Sequence, residues 1–179
     1  TEVTGIDRLA GAISVRDLRT GVSRSERYDV LVLSPGAAPI RPPLPGIDLE
    51  GVFAIRNIPD SRRLRSWISD RRARTAVVVG GGFIGLEMVE NLIHRGLAVT
   101  VIEKLAQVMP PLDPEMAAPI THHLEAQGVT LRLGDGLEGI EENPGGTLTV
   151  VSERGTRLPA DLVILAIGVR PETALAQDA

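Results

Sequence analysis

The sequence predicts an α/β protein built around a parallel sheet, and three observations carry that expectation. Short strand-like runs recur along the chain, at residues 76–79, 98–102, 129–133 and 161–167, the first two apolar and rich in β-branched residues. A glycine-rich turn joins the first run to an apolar-periodic helix. The second run follows that helix directly and ends in an acid, so residues 77–103 form one complete β-α-β unit.

The turn matches the spacing G-x-G-x-x-G at Gly80, Gly82 and Gly85. Each glycine has a separate task in such a turn. Gly80 permits the tight exit from the strand, Gly82 lets a pyrophosphate approach the backbone, and Gly85 lets the helix pack closely on the strand. The helix opens here, so its free amides and positive dipole end face the phosphates. Glu103 follows Gly85 by 18 residues, close to the spacing of about 20 expected for an acid that accepts hydrogen bonds from a ribose. A carboxylate there repels a 2′-phosphate, which favours NAD(H) over NADP. Lys104 beside it leaves room for some NADP binding. An ordinary glycine-rich turn is the bland alternative; the strand, helix and terminal acid together argue against it.

Composition narrows the rest. The chain has 179 residues, of which 43% are hydrophobic and only 2% aromatic, so the core is aliphatic. A net charge of −4 argues against a nucleic-acid partner. No apolar run reaches the roughly 18 residues of a membrane span, and no secretory pattern is present, so a cytoplasmic location is expected. There are no cysteines, which excludes disulfides, cysteine metal sites and a thiol nucleophile within this chain. No metal site is expected. The first residue is Thr1 and the chain opens on a strand pattern, so an excised piece of a longer protein is expected.

In order, residues 2–6, 11–18 and 22–28 read as short strands with a turn at Arg19-Thr20-Gly21. Residues 30–33 read as a strand covered on both faces. A linker rich in proline and glycine follows, from Pro39 to Gly46. Residues 52–55 suggest a short strand. A helix is expected from Asp60 or Ser61 to about Ser69, with Leu64, Trp67 and Ile68 on one face. Arg62, Arg63, Arg65, Arg71, Arg72 and Arg74 form a basic stretch, read as a solvated face with a docking surface as the alternative. Asp113 and Pro114 start a helix that ends before Gly128. Pro119 should kink that helix; His122 and His123 lie on it as surface residues. Residues 136–142, 147–152 and 156–158 read as a three-stranded meander. The last strong strand, residues 161–167, should end beside the glycine loop.

Four stretches together resemble the FAD-dependent pyridine nucleotide–disulfide oxidoreductases, in particular the coenzyme A-disulfide reductase and NADH oxidase-like branch. They are residues 28–36 (Tyr-Asp-Val-Leu-Val-Leu-Ser-Pro-Gly), 80–87, 108–116 and 160–171. The resemblance covers essentially the whole chain and implies an NAD domain inserted within an FAD domain. Residues 1–44 would then be a β-rich remnant of the FAD domain with a linker. Residues 45–167 would be a Rossmann-like NAD(H)-binding domain with a parallel sheet and a β-meander crossover, and residues 168–179 the return to the FAD domain.

The family's roles carry over residue by residue. Gly80, Gly81, Gly82, Ile84 and Gly85 would hold the pyrophosphate, with Glu103 and Lys104 at the adenosine ribose. Phe83 stands where an aromatic ring covers the flavin face, with helix–sheet packing as the alternative. Glu87 would lie near the nicotinamide, with a solvated helix residue as the alternative. Gly168 would end the strand beneath the nicotinamide. Glu172 departs from a frequent Asn. The family's flavin-binding glycine loop, redox cysteine and later Gly-Asp motif are missing from this sequence. The implied parent is a homodimer that passes hydride from NADH to FAD and on to a disulfide, persulfide or similar acceptor. No catalytic residue is therefore assigned here, and the fragment alone is expected to be inactive. Other reactions on the same scaffold, NADH oxidase, peroxidase or ferredoxin-type reductase, remain open, as does a non-enzymatic dinucleotide sensor. A stand-alone dehydrogenase is weak, because no acid–base constellation accompanies a substrate pocket.

Overall fold

A computed structural model describes residues 1–179. The chain divides into two compact units, one of Thr1–Ala38 with Arg170–Ala179 and one of Pro39–Val169. In the first, β1 (Glu2–Asp7), β2 (Ala12–Arg16) and β3 (Ser23–Arg27) form an antiparallel sheet in the order β1-β2-β3. The Asp17 carboxylate accepts the Arg19 and Thr20 amides at 2.8 and 3.0 Å and so shapes the turn between β2 and β3. Those two amides, that of Thr20 first, hold the Asp17 carboxyl below its ordinary value. Residues 30–33 do not form the expected strand: Val30 and Val32 are 83% and 82% exposed, and the segment lies between β3 and β4 (Ala37–Pro39) without sheet pairing. An apolar run of that length becomes a strand only when flanking strands supply backbone partners, and none in this chain does.

The second unit is a three-layer structure. After β5 (Val52–Phe53), α1 (Ile58–Arg71) begins earlier than the hydrophobic spacing indicates. The reason is a capping box: the Asn57 side chain accepts the Asp60 amide at 2.9 Å, and the Asp60 carboxylate accepts the Asn57 amide at 3.2 Å. There follow β6 (Thr75–Val79), α2 (Phe83–His94), β7 (Ala98–Glu103), α3 (Pro114–Ala126) and β8 (Thr130–Leu133). Helix α3 runs unbroken through Pro119, and its cap residue Asp113 makes no side-chain hydrogen bond. Strands β9 (Leu137–Glu142), β10 (Leu148–Ser152) and β11 (Arg157–Ala160) make the meander. The chain then re-enters the parallel sheet as β12 (Leu162–Leu165). Back in the first unit, and unanticipated from sequence, β13 (Val169–Pro171) pairs with β4, and α4 (Ala174–Gln177) follows.

Five parallel strands in the order β5-β12-β6-β7-β8 form the central layer. Their alternating side chains explain the unbroken apolar runs. Ala76, Val78, Val99, Val101, Leu162 and Ile164 face Leu64, Val89, Leu92 and Leu124 of the three helices. Val77, Val79, Ile102, Val163 and Leu165 face Ile140, Leu148, Val150 and Ala160 of the meander. A strand buried on both sides has no polar positions to spare. The register brings Val79 opposite Leu165 and Ile102, so the carboxyl ends of β6, β7 and β12 finish together.

Candidate dinucleotide-binding site

The glycine turn sits at those three strand ends. Gly80 has a φ of 108°, a conformation that excludes ordinary side chains, and its amide donates to the Ile102 carbonyl at 2.8 Å. A Cβ on Gly80 would lie 2.4 Å from the Ala166 carbonyl oxygen, just past the end of β12. A Cβ on Gly85 would lie 2.0 Å from the Gly80 carbonyl oxygen, so the first turn of α2 rests directly on the loop. Gly82 differs from both: a Cβ there would meet nothing within 4 Å. The fold leaves that flank of the loop open. Gly82 is also the cap residue of α2 and has no side chain to accept the first-turn amides, which stay available to a ligand.

Glu103 closes the loop from the side. Its carboxylate accepts the Gly81 amide at 2.7 Å and the Leu105 amide at 2.8 Å, and the residue is only 9% exposed. Two amide donors on one buried carboxylate make strong, charge-assisted bonds. The Gly81 carbonyl in turn accepts the Met109 amide at 2.8 Å, with Met109 at a φ of 48°. Buried Val108 packs beside Gly81, where a Cβ would stand 3.3 Å from Val108 Cγ1. The segment after β7 is therefore hooked onto the glycine turn by one hydrogen bond and one apolar contact.

A cleft of about 740 Å³ opens over these strand ends, within the range of about 300–1,000 Å³ usual for ligand sites. Gly80, Gly82, Phe83, Ile84, Glu103, Lys104 and Gly168 line it, together with Ile102, Leu105, Ala166 and Ile167. Phe83 and Ile84 are 62% and 43% exposed, so Phe83 is not consumed by helix–sheet packing. Gly168 has a φ of 115°, and that backbone conformation, more than lack of space, accounts for glycine: a Cβ would make an ordinary 3.5 Å contact with Ile40. Gly81 and Gly85 are buried behind the loop rather than lining the cleft. Glu87 is not brought to the cleft. It is exposed on α2 and lines a separate groove between α2 and α3, with Phe83, Ile93 and His123.

Sequence reasoning missed part of the wall. Pro42 and Leu44 come from the linker, Pro110 and Pro111 from the segment after β7, and Gly136, Leu137 and Glu153 from the meander. Lys104 Nζ lies 2.8 Å from Glu153 Oε1. Nothing in the sequence joins residues 49 positions apart; only the crossover fold does. The basic residues of α1 are solvent-exposed, with Arg63 paired to Asp60 at 2.9 Å and Arg71 stacked 4.2 Å over the Trp67 ring. His122 and His123 are exposed. No group of residues fit to hold a metal ion is present, and no helix is long and apolar enough to cross a membrane.

The family model for pyridine nucleotide-disulphide oxidoreductases matches residues 1–179. The chain belongs to that family. Among curated relatives, an NADH oxidase of Methanocaldococcus jannaschii is 39% identical over all of this chain. The chain spans 40% of that relative's length. Among solved structures, reduced Bacillus anthracis CoADR-RHD superposes with a TM-score of 0.94 at 45% identity, covering 99% of this chain and 32% of that one. The water-forming NADH oxidase of Lactobacillus brevis, bound to NADH, gives a TM-score of 0.86 at 34% identity over 98% of this chain and 38% of that one. An engineered variant of it, bound to NADPH, gives 0.85 at 32% identity, covering 98% and 38%.

Proposed function

We propose that the Pro39–Val169 unit binds NADH in the cleft over Gly80–Gly85, as the dinucleotide-binding part of a flavin-dependent oxidoreductase. The observation that carries this reading is the open flank at Gly82, set beside uncapped amides of α2. A pyrophosphate needs backbone donors and room to approach them, and this corner offers both. Glu103, at the end of β7, keeps the loop in shape and places a negative charge at the ribose end. Phe83, Ile84, Ile167 and Gly168 give the cleft apolar lining, suited to the nicotinamide. The residues present fit the dinucleotide.

The charge at the ribose end favours NAD(H). The engineered NADPH-bound relative carries five substitutions: a Gly to Ala, then, 18, 19, 20 and 25 residues on, an Asp to Ala, an Ala to Arg, a Met to Ser and a Pro to Arg. The same spacing counted from Gly85 falls here on Glu103, Lys104, Leu105 and Pro110. This chain thus keeps the acid and the proline that were replaced in making that protein.

In the parent, flavin supplies the hydride-accepting chemistry; no residue of this chain is assigned to holding it. The contribution of this chain is to bind, orient and shield the hydride donor. The parent passes the hydride on to a disulfide, persulfide or similar acceptor through parts outside this sequence. The unit of Thr1–Ala38 with Arg170–Ala179 is proposed as a piece of the flavin domain, for which the resemblance implied residues 1–44 and 168–179. Titrating the chain with NADH and NADPH by calorimetry tests the reading: NADH is expected to bind more tightly. Absence of NADH binding to folded chain would overturn the site, and preference for NADPH would overturn the role of Glu103.

A further inference from the structure

The charge that a 2′-phosphate would meet at the rim of the cleft is not set by Glu103 alone. Both Glu103 oxygens already accept amides of its own loop, and the residue is nearly buried. Farther out stand Lys104 and Glu153, with side chains 71% and 47% exposed and paired at 2.8 Å. Lys104 is the cation among the residues that line the cleft.

Glu153 is held at that place by a framework. The Asp135 amide donates to the Glu103 carbonyl at 3.0 Å, and the Arg154 amide donates to the buried Asp135 carboxylate at 3.1 Å. The Glu153 amide donates to the Gly136 carbonyl at 2.9 Å. Its carboxylate lies against the bare Cα of Gly136, where a Cβ would stand 2.7 Å from it. The turn between β10 and β11 is thereby fastened to the end of β7. An exposed ion pair adds little to stability. Its consequence here is electrostatic: it occupies a lysine beside the ribose end and adds an anion there.

We propose that Glu153 is a specificity-determining residue that excludes NADP(H) by withholding Lys104 from the 2′-phosphate. This rests on the reading of the cleft as a nicotinamide dinucleotide site. Without Glu153, Lys104 would present a free ammonium to a phosphate in the cleft that it lines. The exclusion is thus shared between two acids from distant parts of the chain, one at the end of β7 and one in the meander.

The test compares the chain with Glu153→Gln and with Glu153→Gln combined with Lys104→Met, each titrated calorimetrically with NADH and NADPH. The ratio of NADPH to NADH affinity is expected to rise about fivefold in Glu153→Gln. That gain should shrink as ionic strength goes from about 0.01 M to about 1 M, and disappear in the double variant. An unchanged ratio in Glu153→Gln, with NADH still bound, would overturn this proposal and leave the site assignment standing. A gain that persists in full without Lys104 would overturn it too. If the unsubstituted chain bound neither dinucleotide, the site assignment would fall and this proposal with it.

Discussion

Glu103 accepts the amide of Gly81, 22 residues earlier in the chain, at 2.7 Å, and the amide of Leu105 at 2.8 Å with its other oxygen. The acid is therefore a structural part of the turn as well as a charge at its edge. Both partners are donors. Glu103→Ala leaves two amides without an acceptor and is expected to lower unfolding free energy by roughly 1–3 kcal/mol. Glu103→Gln supplies one acceptor and one misplaced donor, so it should recover only part of that loss. Thermal unfolding of the three proteins checks this; equal melting temperatures would show that the loop does not depend on the carboxylate.

Gly82→Val separates binding from folding. A Cβ there meets nothing within 4 Å beyond its chain neighbours, and the φ of −83° suits any residue. The melting temperature is expected to stay within a few degrees of the parent chain, while NADH affinity falls at least about 100-fold, since the valine occupies the approach to the α2 amides. Unchanged affinity by calorimetry would remove the phosphate assignment.

Gly85→Ala has the reverse pattern. Its Cβ would stand 2.0 Å from the Gly80 carbonyl oxygen and 3.4 Å from Ala166 Cβ. Helix α2 must then move off the loop, at a cost of about 1–3 kcal/mol for overpacking. The melting temperature should fall by several degrees and NADH affinity should weaken with it. A variant as stable as the parent would mean that helix and loop separate more easily than this contact implies.

Asp161 predicts the acid side of the stability curve. Burial pushes its carboxyl up, but the Arg74 and Thr75 amides, the Thr75 hydroxyl and the Arg74 charge outweigh burial and hold it below the ordinary value of 3.8. The folded state thus binds the proton less readily than the unfolded chain. The contribution is present in full above about pH 4 and is lost as pH falls through the depressed folded value. Asp161→Asn should flatten the dependence of melting temperature on pH below about pH 4. Parallel curves for the two proteins would contradict the assignment.

The sequence was most informative where periodicity and turn chemistry act locally. The β-α-β unit from Val77 to Glu103, the meander turns and the face of Leu64 and Ile68 are all written in short-range spacing. The start of α1 was also written there, in Asn57 and Asp60, but hydrophobic spacing does not register a capping box. Residues 30–33 misled because an apolar run states that a strand prefers cover without stating whether the chain supplies it. Glu153 and Gly136 were illegible for another reason. Their place on the cleft wall depends on the meander folding back over the sheet, a long-range event with no mark in either residue's neighbours. Glu87 was placed by resemblance alone; in the fold it lines the α2–α3 groove together with Phe83.

The contact of Gly85 with the carbonyl of Gly80 has a consequence for how such a molecule can change over time. At Gly80 and Gly85 the turn has no slack: its shape is dictated by main-chain atoms close to one another, so substitution at those two positions is punished at once. The charged rim, by contrast, consists of the partly exposed side chains of Lys104 and Glu153, outside the hydrophobic core. If the cleft takes a dinucleotide as proposed, charges at Lys104 and Glu153 are the part of its rim that can change while the turn beneath them stays as it is.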